Sequence, residues 1–294
     1  MEEYIKIGII QTSLNREIAF KDGPKIEELE GDRIWNEIKK GYRFFSNEVN
    51  KPNIVVLPEL SVPRKYIRKL EKISIALNCI TIAGVGYNIN EDQKTIKNQA
   101  IMVVPNNWDD DKQSNRAKSF YIGKSYFAPK EKSLLEKAGY RPVGNPNLYL
   151  VETGKLGTIG VAICYDFLDV QRLLLYQAEV HHYFILAYNR DINTFLNIAE
   201  TVARTMFCNV IVSNTGHYGG SLAISPYFDP HKRTIYKSEG NRLFNCQIVE
   251  IPLYSLDQHH LGKPSDKHGT PIFKSLPPGF SSRIEMKNKR KRTN

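Results

Sequence analysis

Short apolar runs alternate with amphipathic stretches along most of this chain, and the two periods predict a repeating order of strands and helices. Ile5 to Ile10 reads as a first strand, left by the loop Gln11-Thr12-Ser13-Leu14-Asn15. Between Gly31 and Asn50 the residues Ile34, Trp35, Ile38, Tyr42, Phe45 and Val49 recur every three or four positions, the spacing of one helical face. Lys51-Pro52-Asn53 breaks that pattern. Ile54–Leu57 follows as a strand apolar throughout, as expected where both faces of a sheet are covered. Tyr66, Leu70, Ile73 and Leu77 mark a second helix, and Ile80–Tyr87, Asn98–Val104 and Ser119–Ile122 read as further strands. Residues 106–118 between the last two are polar and loop-like.

The alternation continues to about residue 257. Leu134–Lys137 predicts a short helix, and Asn147–Glu152 and Thr158–Cys164 read as strands around Thr153-Gly154-Lys155-Leu156-Gly157. Asp169–Gln177 and Asn193–Phe207 are helical, with His182–Tyr188 and Val210–Ser213 as the strands beside them. Gly216, Gly219 and Gly220 mark a loop, after which Ser221–Ser225, Thr234–Lys237 and Phe244–Ile251 close the run. Such βαβ units with hairpins predict an α/β fold of mixed sheets with helices outside. With no repeat or internal linker, the reading is one domain over 1–257 and an extension over 258–294.

Composition changes this picture little. Hydrophobic residues make up 41% and charged residues 24% of 294, ordinary values for a globular protein with a full core. No apolar run approaches the ~18 residues needed to cross a bilayer. The acidic start Met1-Glu2-Glu3-Tyr4 leads straight into a strand, so no signal peptide is expected. The four cysteines, at 79, 164, 208 and 246, have no CxxC spacing, which speaks against a zinc knuckle or a disulfide framework. A reducing cytoplasm is the expected location. The net charge of +10 includes five cations in the tail, Lys287, Lys289, Arg290, Lys291 and Arg292. That tail lacks apolar periodicity and reads as a solvated, disordered end, with contact to nucleic acid or an acidic protein as the alternative.

Candidate chemistry centres on Gly160-Val161-Ala162-Ile163-Cys164-Tyr165-Asp166, where an apolar strand stops abruptly at a cysteine. A nucleophile on a sharp strand-to-helix turn is held at the sheet edge, with free main-chain N–H groups to receive an oxyanion. Taken alone, Cys164 reads equally as a buried packing thiol. Upstream, Glu59 ends the apolar run Ile54-Val55-Val56-Leu57-Pro58-Glu59, and Lys124 opens Lys124-Ser125-Tyr126-Phe127-Ala128-Pro129-Lys130-Glu131. An unperturbed thiol is only slightly ionised at neutral pH and needs a base or a cation beside it. Glu59 can take the thiol proton and return one to a leaving amine. Lys124 can favour the thiolate and stabilise a developing oxyanion, with the N–H of Tyr165 as a second donor.

An acid, a lysine and a cysteine in this order resemble the nitrilase superfamily of carbon–nitrogen hydrolases. Leu57-Pro58-Glu59-Leu60, Lys124 with Pro129 and Glu131, and Gly160 to Asp166 are similar to its three motifs; Ala203-Arg204, Asn214, Gly216 and Gly220-Ser221 are similar to its pattern after the cysteine. The likeness spans about Tyr4 to Leu256. It implies a four-layer α-β-β-α sandwich, homodimers or higher homo-oligomers, a covalent thioester acyl-enzyme, and neither metal nor organic cofactor. By the same resemblance Glu131 is a second glutamate that positions substrate or water. The turn after Cys164 departs from the family in lacking a proline before Arg172, and Tyr126 stands where a histidine is common.

The expected activity is hydrolysis of a non-peptide C–N bond, amidase-type, with nitrile, ureido and glutamine-amide substrates left open. Glu59, Lys124 and Cys164 are the expected catalytic residues; Glu131, Tyr165, Asn189 and Tyr126 are expected to bind or position a small-molecule substrate. His217, in the glycine-rich loop, is a candidate pocket contact. The rival reading, from another class, is a nitrilase-like interaction module in a larger assembly that handles nucleic acid through the basic tail.

Overall fold

The computed structural model describes residues 3–110, 112–263, 266–267 and 270–285. The basic tail read above as a disordered end lies outside the described residues. The N-terminal half contributes β1 (Tyr4–Gln11), α1 (Arg16–Ala19), α2 (Glu28–Asn47), β2 (Ile54–Val62), α3 (Ile67–Leu77), β3 (Ile80–Asn90), β4 (Thr95–Pro105) and β5 (Ala117–Gly123). Then come α4 (Pro129–Lys137), β6 (Arg141–Pro142), β7 (Leu150–Glu152), β8 (Thr158–Ile163), α5 (Val170–Tyr176), β9 (His182–Ala187) and α6 (Ile192–Val202). After these come β10 (Asn209–Asn214), β11 (Ser221–Ile224), α7 (Pro230–Arg233), β12 (Thr234–Ser238), β13 (Asn245–Pro252) and α8 (Tyr254–His260), followed by a short antiparallel pair, Asp266–Lys267 with Thr270–Pro271.

Two mixed sheets result. One runs β13-β1-β2-β3-β4-β5 with β6 added beside β4, and the other runs β12-β11-β10-β9-β8-β7. Parallel pairs β1–β2 and β2–β3 lie at the centre of the first, and β8–β9 and β9–β10 at the centre of the second. The strict period of two along each strand explains the layering. Ile54 and Val56 of β2 join Ile5, Ile7 and Ile9 of β1 in a core shared with Val161, Phe184 and Ile211 of the opposite sheet. The intervening Val55 and Leu57 point the other way, onto Ile34, Ile38 and Phe45 of α2. On the far side, Tyr183 and Ile185 of β9 meet Phe195 and Ala199 of α6. Both faces of both sheets are therefore covered, and the molecule is a four-layer α-β-β-α sandwich.

Several boundaries differ from the sequence reading for physical reasons. Helix α2 ends at Asn47, ahead of Pro52, and leaves Val49 98% exposed although it continued the helical spacing. Helix α4 begins at Pro129 because proline, with no N–H to leave unsatisfied, suits the first helical position. The helix expected over 193–207 stays α-helical only to Val202 and then widens into a π-turn over Ala203–Phe207, where Phe207 has φ +55°. Helix α8 crosses residue 257, and Phe273 and Phe280 beyond it are fully buried with Phe207 and Leu256.

Strand β2 does not stop at Leu57. It runs on through Pro58 and Glu59 to Val62, and its register with β3 shifts between Leu57 and Val62. Leu60 takes a left-handed φ of +57° in this irregular stretch. The bulge presses main chain against β3, where a Cβ on Gly84 would lie 2.4 Å from Glu59 Cα and from the Pro58 carbonyl oxygen. Only glycine fits there, because the obstacle is backbone and not a movable side chain. Gly84→Ala is expected to lower stability by about 1–3 kcal/mol, as overpacking does, and to push Glu59 out of place. Urea unfolding of the variant checks this; an unchanged midpoint would show that the bulge accommodates the extra methyl.

Candidate active site

Four side chains converge where β2, β5, α4 and β8 meet. Glu59 stands on the β2 bulge, Lys124 just past β5, Glu131 in the first turn of α4, and Cys164 just past β8. Lys124 is 1% exposed, yet its ammonium is paired twice: Nζ donates to Glu59 Oε1 at 2.7 Å and to Glu131 Oε2 at 2.6 Å. The ring of Phe127 lies 5.7 Å below it, a cation–π contact. Asn98, on β4, holds the carboxylates together from the other side, its Nδ2 donating to Glu59 Oε1 at 2.8 Å and to Glu131 Oε1 at 2.9 Å. The hydroxyl of Tyr87, on β3, also donates to Glu131 Oε1 at 2.8 Å.

Cys164 differs from these neighbours in being only half-buried. Its φ of +48° puts the nucleophile turn in the left-handed region, where a non-glycine residue is held only if the surroundings force it. The thiol lies beside the Glu59 carboxylate and under the main-chain N–H of Tyr188. After it the chain makes a 3-10 turn over Cys164–Leu168, so the N–H of Tyr165 falls among the amides at a helix start that lack an intrahelical acceptor. Asp166, one residue further, is buried and accepts from the N–H groups of Ser125 and Tyr126 at 3.0 and 2.8 Å. Arg172 flanks it, with its guanidinium bonded to Ser125 Oγ. The cysteine turn and the lysine loop are thereby tied to each other.

Electrostatics follow from this packing. Burial pushes the Cys164 thiol up and the Glu59 charge adds to that, outweighing the nearby Lys124 ammonium, so the resting cysteine is a thiol. The cation that the sequence suggested would favour the thiolate is already committed to two carboxylates. The Glu59 carboxyl is also raised, by burial first, with Lys124 opposing and Glu131 adding to the shift. Burial acts to raise Glu131 too, but Lys124 and the bonds from Tyr87 and Asn98 outweigh it and hold Glu131 below the usual carboxylate range. Lys124 resists the neutralising effect of burial because Glu59 and Glu131 face it, and it stays charged. The cluster thus presents a neutral thiol beside a carboxylate of raised affinity for protons.

Tyr87, Tyr188, Asn189 and His217 are among the residues that line a cleft of about 700 Å³; the four groups themselves lie behind its wall, reached through Tyr87 on Glu131 and the main chain of Tyr188 on Cys164. Asn189 donates its main-chain N–H to Asn214 Oδ1 at 2.9 Å, which fixes the loop after β9. Tyr165 is 36% exposed. The ring of Tyr126 is 52% exposed, and it is the main chain of this residue that bonds Asp166. Asn98, Tyr87 and Tyr188 had no sequence signal, since a polar residue within a strand announces no partner. Among the described residues no group of three or more acidic, histidine or cysteine side chains is arranged to hold a metal ion, and no helix is long and apolar enough to cross a membrane.

No family model and no curated protein matches the chain. Solved structures do. The carbon–nitrogen hydrolase superfamily protein of Xanthomonas campestris, which carries an arsenic adduct in its active site, is 13% identical with a TM-score of 0.62; the match covers 91% of this chain and 100% of that one. Nit3 of Saccharomyces cerevisiae, a member of branch 10 of the nitrilase superfamily, is 14% identical with a TM-score of 0.60 and coverages of 91% and 97%. A mutant amidase from Nesterenkonia sp. AN1, with the acetamide moiety of fluoroacetamide added covalently at its active-site cysteine, is 12% identical with a TM-score of 0.59 and coverages of 85% and 91%. At such identities the likeness is one of fold, and the fold of this chain is that of the nitrilase, or carbon–nitrogen hydrolase, superfamily.

Proposed function

We propose that this protein hydrolyses a non-peptide carbon–nitrogen bond, in the manner of an amidase, through a thioester on Cys164. The observation that carries the reading is the meeting of a half-buried cysteine, in a left-handed turn at a strand end, with the buried Glu59–Lys124–Glu131 cluster. A cluster of this kind supplies what amide hydrolysis requires. As the sulfur attacks the amide carbon, Glu59 takes the thiol proton, and the carbonyl oxygen becomes an oxyanion. Lys124 and the N–H of Tyr165 receive that negative charge; losing one such donor typically costs about 3–4 kcal/mol of transition-state stabilisation. Glu59 then gives the proton to the departing nitrogen, the C–N bond breaks, and ammonia or an amine leaves the acyl group on sulfur. Glu59 next draws a proton from water, whose oxygen attacks the thioester, and the carboxylic acid departs with Cys164 restored as a thiol. Glu131 orients Lys124 throughout and is near enough to the same space to help place the water.

The reading is tested by intact-mass spectrometry of wild type and Cys164→Ala after incubation with small amides and nitriles. The expected result is an acyl adduct on wild type, absent from Cys164→Ala, whose mass reports the acyl group. No adduct, no turnover and a Cys164 inert to thiol alkylation would sink the reading.

The raised Glu59 also sets a pH dependence. Glu59 acts as a base only when ionised, so kcat/KM should fall as pH drops through its folded pKa, and that acid limb should lie above the ~4.3 of an ordinary glutamate. Glu131 is one of the charges that raise Glu59, and its loss also leaves Lys124 free to lean on Glu59 alone. The residual activity of Glu131→Gln should therefore have its acid limb at lower pH than wild type. A limb that stays put, or moves up, would show that Glu59 is not the group titrating.

A further inference from the structure

The cleft that Tyr188 joins to the cysteine has an unbalanced charge. Arg16, Lys21, Lys130, Lys137 and Arg190 line it, against a single carboxylate, Glu17. Lys21 stands 3.9 Å from Asp22, an exposed pair, whereas Arg16, Lys130, Lys137 and Arg190 have no ion pair among the described residues. Arg16 is the most enclosed of these cations, half-buried where the others are exposed. The main chain that carries it is well fixed. Its own N–H donates to the Tyr188 hydroxyl at 2.8 Å, Asn15 caps the turn by accepting from Glu17, and the N–H of Asn15 is held by Glu30 Oε1 at 2.8 Å. The Arg16 charge acts on the hydroxyls of both Tyr87 and Tyr188, the residues that join the cleft to Glu131 and to Cys164.

A half-buried guanidinium carried on a fixed main chain, with other cations around it, suits a carboxylate, whose two oxygens match its planar fork. Phe20 and Leu134 on the same walls offer apolar surface to the methylenes between that carboxylate and the reacting amide. A volume of about 700 Å³ lies in the range of small-molecule sites. We infer that the substrate is an amide whose acyl chain ends in a carboxylate, and that Arg16 is the residue that selects it.

This inference rests on the proposed amide hydrolysis, and the two can fail separately. The test measures kcat/KM for 4-amino-4-oxobutanoate and 5-amino-5-oxopentanoate against butanamide and pentanamide, in wild type, Arg16→Ala and Arg190→Glu. A charge-assisted hydrogen-bond pair predicts that wild type favours the carboxylates by about 10- to 100-fold. In Arg16→Ala that ratio should collapse toward one, mainly through KM. Arg190→Glu, on an exposed side chain with no part in the core, should weaken the preference and flatten its dependence on ionic strength. Turnover of the neutral amides at least as good as that of the carboxylates, or a preference that survives Arg16→Ala, would overturn the inference and leave the hydrolysis standing. No turnover or thioester with any of the four compounds would count against the hydrolysis itself.

Discussion

The ammonium of Lys124 cannot be buried to 1% exposure and remain charged unless anions replace the water it has lost. Glu59 and Glu131 do so at 2.7 and 2.6 Å, and the consequences spread through the fold. Each carboxylate is itself buried, so each needs further donors, and Asn98 and Tyr87 provide them. Five residues are thus bound into one network, in which removing Lys124 leaves two buried carboxylates without their cation and removing either carboxylate leaves Lys124 with one. Truncating one side of such a pair typically costs about 3–5 kcal/mol. The bulge that carries Glu59, and the glycine that makes room for it, exist in the service of this arrangement.

Cys164 belongs to the cluster without being enclosed by it. The other three groups need the dry interior to keep their mutual geometry, whereas the sulfur, in its proposed role, must be reached from outside. The left-handed turn after β8 resolves these demands by ending the strand abruptly and lifting the cysteine to the edge of the sheet. Asp166 then ties that turn to the main chain after Lys124, so the sulfur and the ammonium are located by one shared carboxylate. A thiol pushed up by burial does not ionise in advance, so in the proposed hydrolysis its proton would leave only as the bond to carbon forms, toward a Glu59 whose affinity for protons is itself raised. The neighbouring cleft adds a second, cationic layer, lined by Arg16, Lys21, Lys130, Lys137 and Arg190.

Much of this was legible in the residues. Two-sided burial made Ile54–Leu57 of β2 and most of β9 apolar, so the central strands followed from period and composition, while the sandwich was what the family resemblance implied. The helical faces of α2 and α3 followed from spacing, and Glu59, Lys124 and Cys164 drew attention because each broke an apolar run or opened a charged one, whereas Glu131 was singled out by the resemblance. A local signal of that kind is chemical identity at an element boundary, and sequence carries it directly. Convergence is different. Whether side chains so far apart in the chain meet depends on strand order, and the resemblance to a family, not the spacing, was what suggested that they do.

Only the tertiary structure decided the rest. Asn98 and Tyr87 sit within strands, where a polar residue looks like any solvated face until its partner across the sheet is known. The need for glycine at 84 arises from the main chain of a neighbouring strand, which the sequence around it does not mention. The basic face of the cleft joins α1, α4 and the loop after β9, so no stretch of sequence shows it as a cluster. The sequence by itself determined which segments are strands or helices and where the reactive groups stand, because these depend on neighbours a few residues away. The fold alone determined which groups share a proton or a charge, because those interactions fall off within a few ångströms and join residues that only packing brings together.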